Sequence, residues 1–355
     1  MNFSKLTEYL GDLGARNIPA RDLMVTVDGE TVLRHFSGAR DEAGKIPMDG
    51  REAYWVYSMT KPLTMACALK LIEEGKLALD DHVCEFLPAF SKYPSMTIEH
   101  LMSMRGGLDY DLEAPAIRAC GPDADTGTVV AALAEKPLSF QPGVDFQYSL
   151  CHDVVAGVIE AASGLTFGAY MKETLFEPLG MKNSGFIPAE YHRANLCAQY
   201  RLDEAQQKRI PLDRFENPYR LTSRYESGGA GLLTTCEDYM RFATAMACGG
   251  GGILSQETID LWRARVLTGK AKSSFDLFGR LGYNYALGVR VLVDPTYSKG
   301  PIGEFGWDGA AGAYVLIDPA NRLAAVYCQH VRGMGYVYSE VHPTLRDLVY
   351  EGVRG

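Results

Sequence analysis

Short, mostly apolar runs bounded by turn residues mark strands near both ends of the chain. Residues 23–27 and 31–36 are rich in β-branched and aromatic side chains, and Asp28-Gly29 between them is typical of a two-residue hairpin turn. Three more strands are predicted towards the C-terminus, over residues 285–293, 312–318 and 322–328. Because short connections join these strands, they are expected to pair antiparallel.

The middle of the chain has a different pattern, mostly helix and long loop between about residues 95 and 265. Helical spacing of apolar residues predicts helices over 153–162, 166–176, 235–247 and 256–264, with one more within 1–13 and a last one over 339–350. We therefore expect an α+β (or α/β) fold, in which an antiparallel sheet flanked by helices receives an inserted, mostly helical region. Residues 1–95 and 265–355 would form the sheet region and 96–264 the helical region, closely packed as one catalytic domain with a cleft between them.

The most regular helical pattern follows residue 58. Apolar residues recur at spacings of three and four from Pro62 onward, and Gly75 is a plausible stop signal. Since Pro62 has no N–H to donate, it belongs in or near the first turn. Ser58 is therefore predicted at the start of this helix.

Composition and charge restrict the partners of the protein. Of its 355 residues 47% are hydrophobic and 22% charged, and the formal net charge is −9 with no basic stretch. This balance argues against a nucleic acid or an anionic membrane as partner. No apolar run is long enough to span a membrane, and the N-terminus lacks the layout of a signal peptide, which favours a cytoplasmic location. The sequence carries no signal for an oligomeric state.

The eight cysteines are scattered along the chain, and none forms a Cys-x-x-Cys pair. A metal cluster is therefore not expected, and reduced, buried thiols are the simplest account. An even count is equally compatible with disulfides if the protein is exported.

Ser58 and Lys61 have the spacing that brings two side chains to one face of a helix. A serine hydroxyl becomes a nucleophile when a neighbouring group takes its proton, and an amine with a lowered pKa can do so. At the helix start, backbone N–H groups and the helix dipole would favour a developing oxyanion. Spacing alone, however, favours a simpler interpretation, in which the serine caps the helix and the lysine is solvated.

Tyr148 follows a Pro-Gly turn and precedes a predicted helix, in the stretch 141–150. Beside an ammonium group its phenolate would be favoured, and it could then shuttle the serine proton. Taken alone, it is one of 20 tyrosines, and a core aromatic is the simpler interpretation.

The glycine-rich stretch 303–312, which contains Trp307, leads into a predicted strand. Glycines allow a backbone to approach a substrate closely, and an N–H here could complete an oxyanion hole. The alternative is a bulged strand end that packs the tryptophan.

Together these motifs resemble those of the class C β-lactamase-like serine hydrolases, which have a penicillin-binding-protein-like fold. Residues 52–83 resemble the serine-motif region, and four further stretches follow in matching order and spacing: 97–108, 142–149, 177–186 and 228–238. The group includes class C β-lactamases, D-Ala-D-Ala carboxypeptidases, D-aminopeptidases and family VIII carboxylesterases.

The resemblance assigns roles to individual residues. It implies Ser58 as nucleophile, Lys61 as its activator, Tyr148 as the tyrosine of the second motif, and the backbone N–H groups of Ser58 and Ala310 as the oxyanion hole. The resemblance also implies that four residues of the second and third motifs contact the substrate: Leu150, Trp307, Asp308 and Gly309. Some of these residues differ from those of β-lactamases.

These departures point towards esters. Leu150 stands where β-lactamases have an amide-binding asparagine, and Trp307 stands where they have a lysine that holds the substrate carboxylate. Family VIII carboxylesterases carry a Tyr-Ser second motif and a tryptophan-containing third motif, which this sequence resembles more.

The sequence thus predicts a serine hydrolase that cleaves a small-molecule carboxylic ester through an acyl-enzyme, with no metal or other cofactor. A β-lactamase, a D-amino-acid peptidase, an acyltransferase and a non-catalytic binding protein on this fold are the alternatives. No Gly-x-Ser-x-Gly elbow occurs, which argues against an α/β-hydrolase. Seven aromatic residues in long loops are expected to line the cleft: Tyr110, Tyr200, Tyr219, Tyr225, Phe275, Phe278 and Tyr283.

Overall fold

The computed structural model describes residues 1–203 and 205–355. Its main sheet has seven strands in the order β2-β1-β11-β10-β9-β8-β7, with every neighbouring pair antiparallel. Both ends of the chain contribute to this sheet, as the sequence predicts. The described strands are β1 Ala20–Val27, β2 Glu30–Gly38, β3 Ala53–Trp55, β4 Gln199–Asp203, β5 Lys208–Leu212, β6 Leu233–Thr235, β7 Tyr283–Tyr285, β8 Arg290–Leu292, β9 Phe305–Asp308, β10 Tyr314–Asp318, β11 Leu323–Cys328 and β12 Val331–Arg332.

Helices cover both faces of the sheet, and most of them come from the part of the chain between its N-terminal and C-terminal strands. The described α-helices are α1 Ser4–Asp12, α2 Thr60–Glu73, α3 Val83–Phe86, α4 Ile98–Met102, α5 Pro115–Arg118, α6 Thr126–Leu133, α7 Cys151–Ser163, α8 Phe167–Met171, α9 Glu177–Leu179, α10 Glu190–Asn195, α11 Cys236–Ala247, α12 Gln256–Ala264, α13 Gly269–Asp276 and α14 His342–Arg354. Each of the longer predicted helices has a counterpart among them. The predicted helix 166–176 is divided, since a π-helical turn, Lys172–Phe176, follows α8.

The N-terminal hairpin forms as predicted. Asp28 and Gly29 both have positive φ, at 52° and 86°, which is the conformation that a tight type I′ connection requires. The local sequence was sufficient to predict this turn, because asparagine, aspartate and glycine adopt positive φ at the lowest cost in free energy.

The prediction of one continuous strand over residues 285–293 is wrong. The structure divides it into β7 and β8, joined by a turn in which Ala286 N–H donates to Val289 O at 2.9 Å and Gly288 has φ of 79°. Both strands and the turn are buried, and apart from Asn284 and Arg290 their residues are apolar, aromatic or small, so the hydropathy pattern conceals the reversal.

Two apolar cores lie on opposite faces of the sheet. On one face α1 and α14 pack against the sheet through side chains such as Leu10, Leu345 and Tyr327. On the other face lie α2, α7 and α11, with a larger core that extends through the helical region. The described part of the chain therefore has a helix–sheet–helix layering.

Helix α11 packs directly on strands β1, β10 and β11. It falls within residues 96–264, so contacts with the sheet extend into the predicted helical region. The division into residues 1–95 with 265–355 and residues 96–264 stays a prediction.

Within the described residues, no single helix has the length and apolar composition needed to cross a membrane. Taken together, the sharply bent pair Cys151–Ser163 and Phe167–Leu179 reaches that length and composition.

Candidate active site

Ser58 lies where a short strand turns into the buried helix α2. Strand β3 pairs with β6, and the chain then enters a 3₁₀ turn, Tyr57–Met59, before α2 begins. Tyr57 has φ of +47°, a conformation that costs a bulky residue free energy. Its fully buried ring and its hydroxyl bond to Gln199 hold it there. This bend leaves Ser58 partly exposed at the first turn of the helix, while both its neighbours are buried.

Lys61 is fully buried one turn beyond Ser58. Its Nζ lies 3.2 Å from Ser58 Oγ, 2.8 Å from Gly229 O and 3.3 Å from the Tyr110 hydroxyl. Burial lowers the pKa of this amine to about 7, although the charge of Asp153 acts in the opposite direction. A neutral amine has two N–H groups for Gly229 and Tyr110, and its lone pair is then left facing the serine hydroxyl.

Tyr148 lies on the other side of the serine. Its hydroxyl is hydrogen-bonded with Ser58, and Trp307 Nε1–H donates to it at 3.0 Å. The Lys61 Nζ lies over its ring, 4.6 Å from the centroid. Burial raises the pKa of Tyr148 well above its usual range, so the expectation of a favoured phenolate is wrong. Desolvation outweighs the neighbouring amine, because that amine, with its own pKa lowered to about 7, is only partly charged near pH 7.

The loop after β9 lies directly against the segment that carries the serine. A Cβ on Gly309 would come within 2.2 Å of Val56 O, so only a glycine permits this approach. Ala310 follows and packs beside Tyr57, and its N–H has no hydrogen-bond acceptor among the described residues. The Ser58 N–H lies in a first helical turn, where N–H groups lack intrahelical partners. The structure thus brings the two predicted oxyanion-hole donors to adjacent segments.

Neither Asp308 nor Leu150 offers the cleft a polar group that is free to bind a substrate. Arg280 Nη2 donates to Asp308 Oδ1 at 2.9 Å, and both side chains are largely buried, so the carboxylate is neutralised. Leu150 is 3% exposed and belongs to the larger apolar core, where it precedes α7. A role for either side chain in substrate binding stays a prediction.

Part of the predicted aromatic lining packs around Tyr148, beside Ser58. Tyr110 packs against both Tyr148 and Tyr219, with ring centroids 5.7 Å apart in each pair. Phe278, which is 38% exposed, packs against Tyr148 and Trp307 from the solvent side. These rings make an apolar wall beside Ser58.

The other four predicted lining residues lie elsewhere. Tyr200 belongs to the core on the opposite face of the sheet, and Phe275 is fully buried. The Tyr225 hydroxyl donates to Asp153, and the Tyr283 hydroxyl donates to Glu304. Position in a predicted loop does not show which way a ring points. In each case a buried hydrogen-bond partner or packing in the apolar core determines the orientation of the ring.

Sequence reasoning missed two of the residues around Lys61. Gly229 accepts its hydrogen bond, and Asp153 binds the N–H of the same glycine at 3.4 Å. Gly229 lies in one of the motifs that carry the resemblance, which was a usable signal. Asp153 carries no such signal, because its partners are distant in sequence. In the described part of the chain no three His, Cys, Asp or Glu side chains are placed to hold a metal ion.

Comparison with known proteins shows the family of this chain. The family model named Beta-lactamase matches residues 6–337. The chain belongs to the Beta-lactamase family. A relative, Esterase EstB from Burkholderia gladioli, is 31% identical over 268 residues, which cover 67% of this chain and 68% of that protein. The chain therefore has the beta-lactamase-like hydrolase fold, and an esterase is among its relatives.

Solved structures of the same fold superpose on this Beta-lactamase-family chain over nearly its whole length. EstCE1, described as a hydrolase with promiscuous acyltransferase activity, is 26% identical, with a TM-score of 0.81 and coverage of 98% of this chain and 97% of that one. Simvastatin synthase (LovD) from Aspergillus terreus is 19% identical, with a TM-score of 0.82 and complete coverage of both chains. The second likeness shows the fold alone.

Proposed function

We propose that this chain is a serine hydrolase that cleaves carboxylic esters by forming an acyl-enzyme on Ser58. The observation that carries the proposal is Lys61, a buried amine with its pKa lowered to about 7 and its nitrogen 3.2 Å from the serine oxygen. An amine that titrates near neutral pH is an effective general base at that pH.

In the acylation step, Ser58 Oγ attacks the ester carbonyl carbon and Lys61 takes the hydroxyl proton. The carbonyl oxygen becomes an oxyanion, which the N–H groups of Ser58 and Ala310 bind. The C–O bond to the alcohol then breaks, and the departing oxygen needs a proton. The Tyr148 hydroxyl supplies one while it receives the proton held by Lys61, so no free phenolate accumulates.

Deacylation reverses these roles. Lys61, neutral again, takes a proton from a water molecule that attacks the acyl carbon, and Ser58 leaves as the free hydroxyl with a proton returned from the lysine. The acid is released, and Ser58, Lys61 and Tyr148 return to their initial protonation states.

Esters are favoured over β-lactams by what contacts Tyr148. An uncharged indole N–H, that of Trp307, occupies the place where a lactam carboxylate would need a cation. The nearby aromatic wall of Tyr110, Tyr219 and Phe278 suits an apolar acyl or alcohol group. The esterase name of the 31% identical relative supports the same substrate class.

A panel of p-nitrophenyl esters and nitrocefin, assayed on wild type and on Ser58→Ala, tests this proposal. We expect ester hydrolysis by wild type to exceed lactam hydrolysis, and both to disappear in Ser58→Ala. Ser163→Ala, at the end of α7, is the matched control and should keep its activity. Nitrocefin turnover that rivals the short esters would overturn the ester assignment, and activity remaining in Ser58→Ala would overturn the mechanism.

Acyl transfer is the second candidate, and the description of EstCE1 as a hydrolase with acyltransferase activity favours it. The same acyl-enzyme would then be captured by an alcohol instead of water. Product analysis with an added alcohol distinguishes the two, since a transferase forms a new ester at the expense of the free acid.

A further inference from the structure

Asp153 is a buried carboxylate behind Lys61 that the mechanism above does not use. It lies in the first turn of α7 and is 1% exposed. Its Oδ1 accepts hydrogen bonds from the Tyr225 hydroxyl and the Ser227 hydroxyl, each at 2.6 Å, and from Gly229 N–H at 3.4 Å. Its Oδ2 has no hydrogen-bond partner among the described residues.

A buried oxygen without a partner costs free energy and calls for an explanation. In the described part of the chain no Lys, Arg or His group forms an ion pair with Asp153 within 4 Å. The fold therefore tolerates a carboxylate that neither solvent nor a direct ion pair compensates.

Gly229 shows what Oδ2 faces. A Cβ on this residue would lie 2.6 Å from Asp153 Oδ2 and 3.5 Å from Lys61 Nζ, so the space left by the absent side chain separates the carboxylate from the amine. The same peptide segment joins them by hydrogen bonds, because its N–H donates to Asp153 and its carbonyl accepts from Lys61.

The other titratable groups around Lys61 contribute little opposing charge. Burial lowers the pKa of His152 to about 3, and it raises the pKa values of Cys151, Tyr110 and Tyr148, so these four are neutral near pH 7. Asp308 is negative but is paired with Arg280. Asp153 is therefore the negative charge facing Lys61 that no neighbouring cation balances.

We propose that Asp153 is a positioning residue that holds the Gly229 carbonyl against Lys61 and stabilises the ammonium formed when Lys61 takes the serine proton. This inference rests on the proposed function of Ser58 and Lys61. The charge is most valuable in the transition state, when the fully buried amine becomes positive. The electrostatic effect of Asp153 on Lys61, which raises the pKa of the amine, agrees with this role.

Asp153→Asn tests the proposal, since the amide keeps an oxygen for the three donors but removes the charge. We expect the acid limb of kcat/KM to move to lower pH by about one pH unit, because a cationic Lys61 is less favoured, and the plateau rate to fall. A purely structural role would lower the rate without moving the limb.

The matched control is Asp238→Asn. Asp238 is also a buried carboxylate in the first turn of a helix, but it accepts from Asn183 N–H and Ser184 instead of facing Lys61. Its substitution should leave the acid limb in place. If Asp153→Asn fails to fold, Asp153→Ser removes the same charge with a smaller side chain.

A measurement without substrate separates this proposal from the proposed function. The ε-carbon NMR resonance of Lys61, assigned by its loss in Lys61→Met, should titrate at lower pH in the Asp153 variant than in wild type. An unchanged or higher titration point in either Asp153 variant overturns the inference. Activity that persists in Ser58→Ala overturns the proposed function instead.

Discussion

The environment of single side chains decides the chemistry of this site. Lys61 and Tyr148 are both buried beside Ser58, and burial disfavours the charged form of each, so the amine loses its proton more easily and the phenol keeps it. Desolvation thereby distinguishes the two roles in the proposed mechanism, Lys61 as the base and Tyr148 as the hydroxyl that relays the proton.

The first prediction concerns the pH dependence of catalysis. Because Lys61 must be neutral to accept the serine proton, and its pKa is lowered to about 7, kcat/KM for an ester should rise tenfold per pH unit below about pH 7 and level off above it. Initial rates measured from about pH 5.5 to 8.5 check this. A rate independent of pH across that range would contradict the assignment of Lys61 as base.

The second prediction concerns the indole N–H at Tyr148. Trp307→Phe keeps an aromatic ring against Tyr148 but removes the donor at 3.0 Å, so kcat should fall by about tenfold with the fold retained. Trp262→Phe is the control, since Trp262 also donates its N–H, but to Leu287 O in the core. Equal activity losses in the two variants would show that Trp307 acts only through packing.

At the scale of elements, the site depends on how closely two segments approach. The loop after β9 lies against Val56 at the end of β3, with Gly309 in contact with Val56 O, and Tyr338 fixes the other side by donating to Gly309 O at 3.0 Å. This contact holds the segment that carries Ala310 against the segment that carries Ser58.

The third prediction follows from that contact. Gly309→Ala would place a Cβ 2.2 Å from Val56 O and push the loop away, so we expect a loss of about 100-fold in kcat and a lower Tm. Gly185→Ala is the matched control, because a Cβ there meets nothing within 4 Å. If Gly309→Ala retained full activity, the loop could not be the one that binds the oxyanion.

The sequence predicted elements whose signals are local. The residues Asp28-Gly29 are sufficient to predict their turn, and the contact between Ser58 and Lys61 follows from their spacing along one helix. The reversal at Gly288 remained hidden because its residues are as apolar as the strands beside it. The contacts of Lys61 with Gly229 and Tyr110, and the bond from Gly229 to Asp153 behind them, also remained hidden, because only the packing of α7 and two loops against α2 brings these residues together.

At the scale of the whole molecule, a buried amine costs stability. The pKa of Lys61 is about 7 in the fold and 10.5 ordinarily, so between these pH values the unfolded chain binds a proton that the folded chain does not. The free energy of unfolding therefore rises with pH across this window, and the full cost is present below about pH 7.

The fourth prediction is that Lys61→Met stabilises the protein while it abolishes catalysis. The gain in the free energy of unfolding over wild type should be larger at about pH 6 than at about pH 10, because the methionine removes a cost that is fully present at the lower pH and mostly lost at the higher one. Urea unfolding at both pH values measures it, with Lys70→Met on the exposed end of α2 as control. A gain that is the same at both pH values would show that Lys61 is not a desolvated base.

The central claim is that Ser58 is the nucleophile, and covalent labelling tests it most directly. Wild type is treated with a fluorophosphonate, digested, and mapped by mass spectrometry, with Ser58→Ala treated in parallel. We predict one label per chain, on Ser58, formed faster as the pH rises through about 7, and none on Ser58→Ala. A label on another residue, or an unlabelled wild type that still hydrolyses esters, would contradict the account.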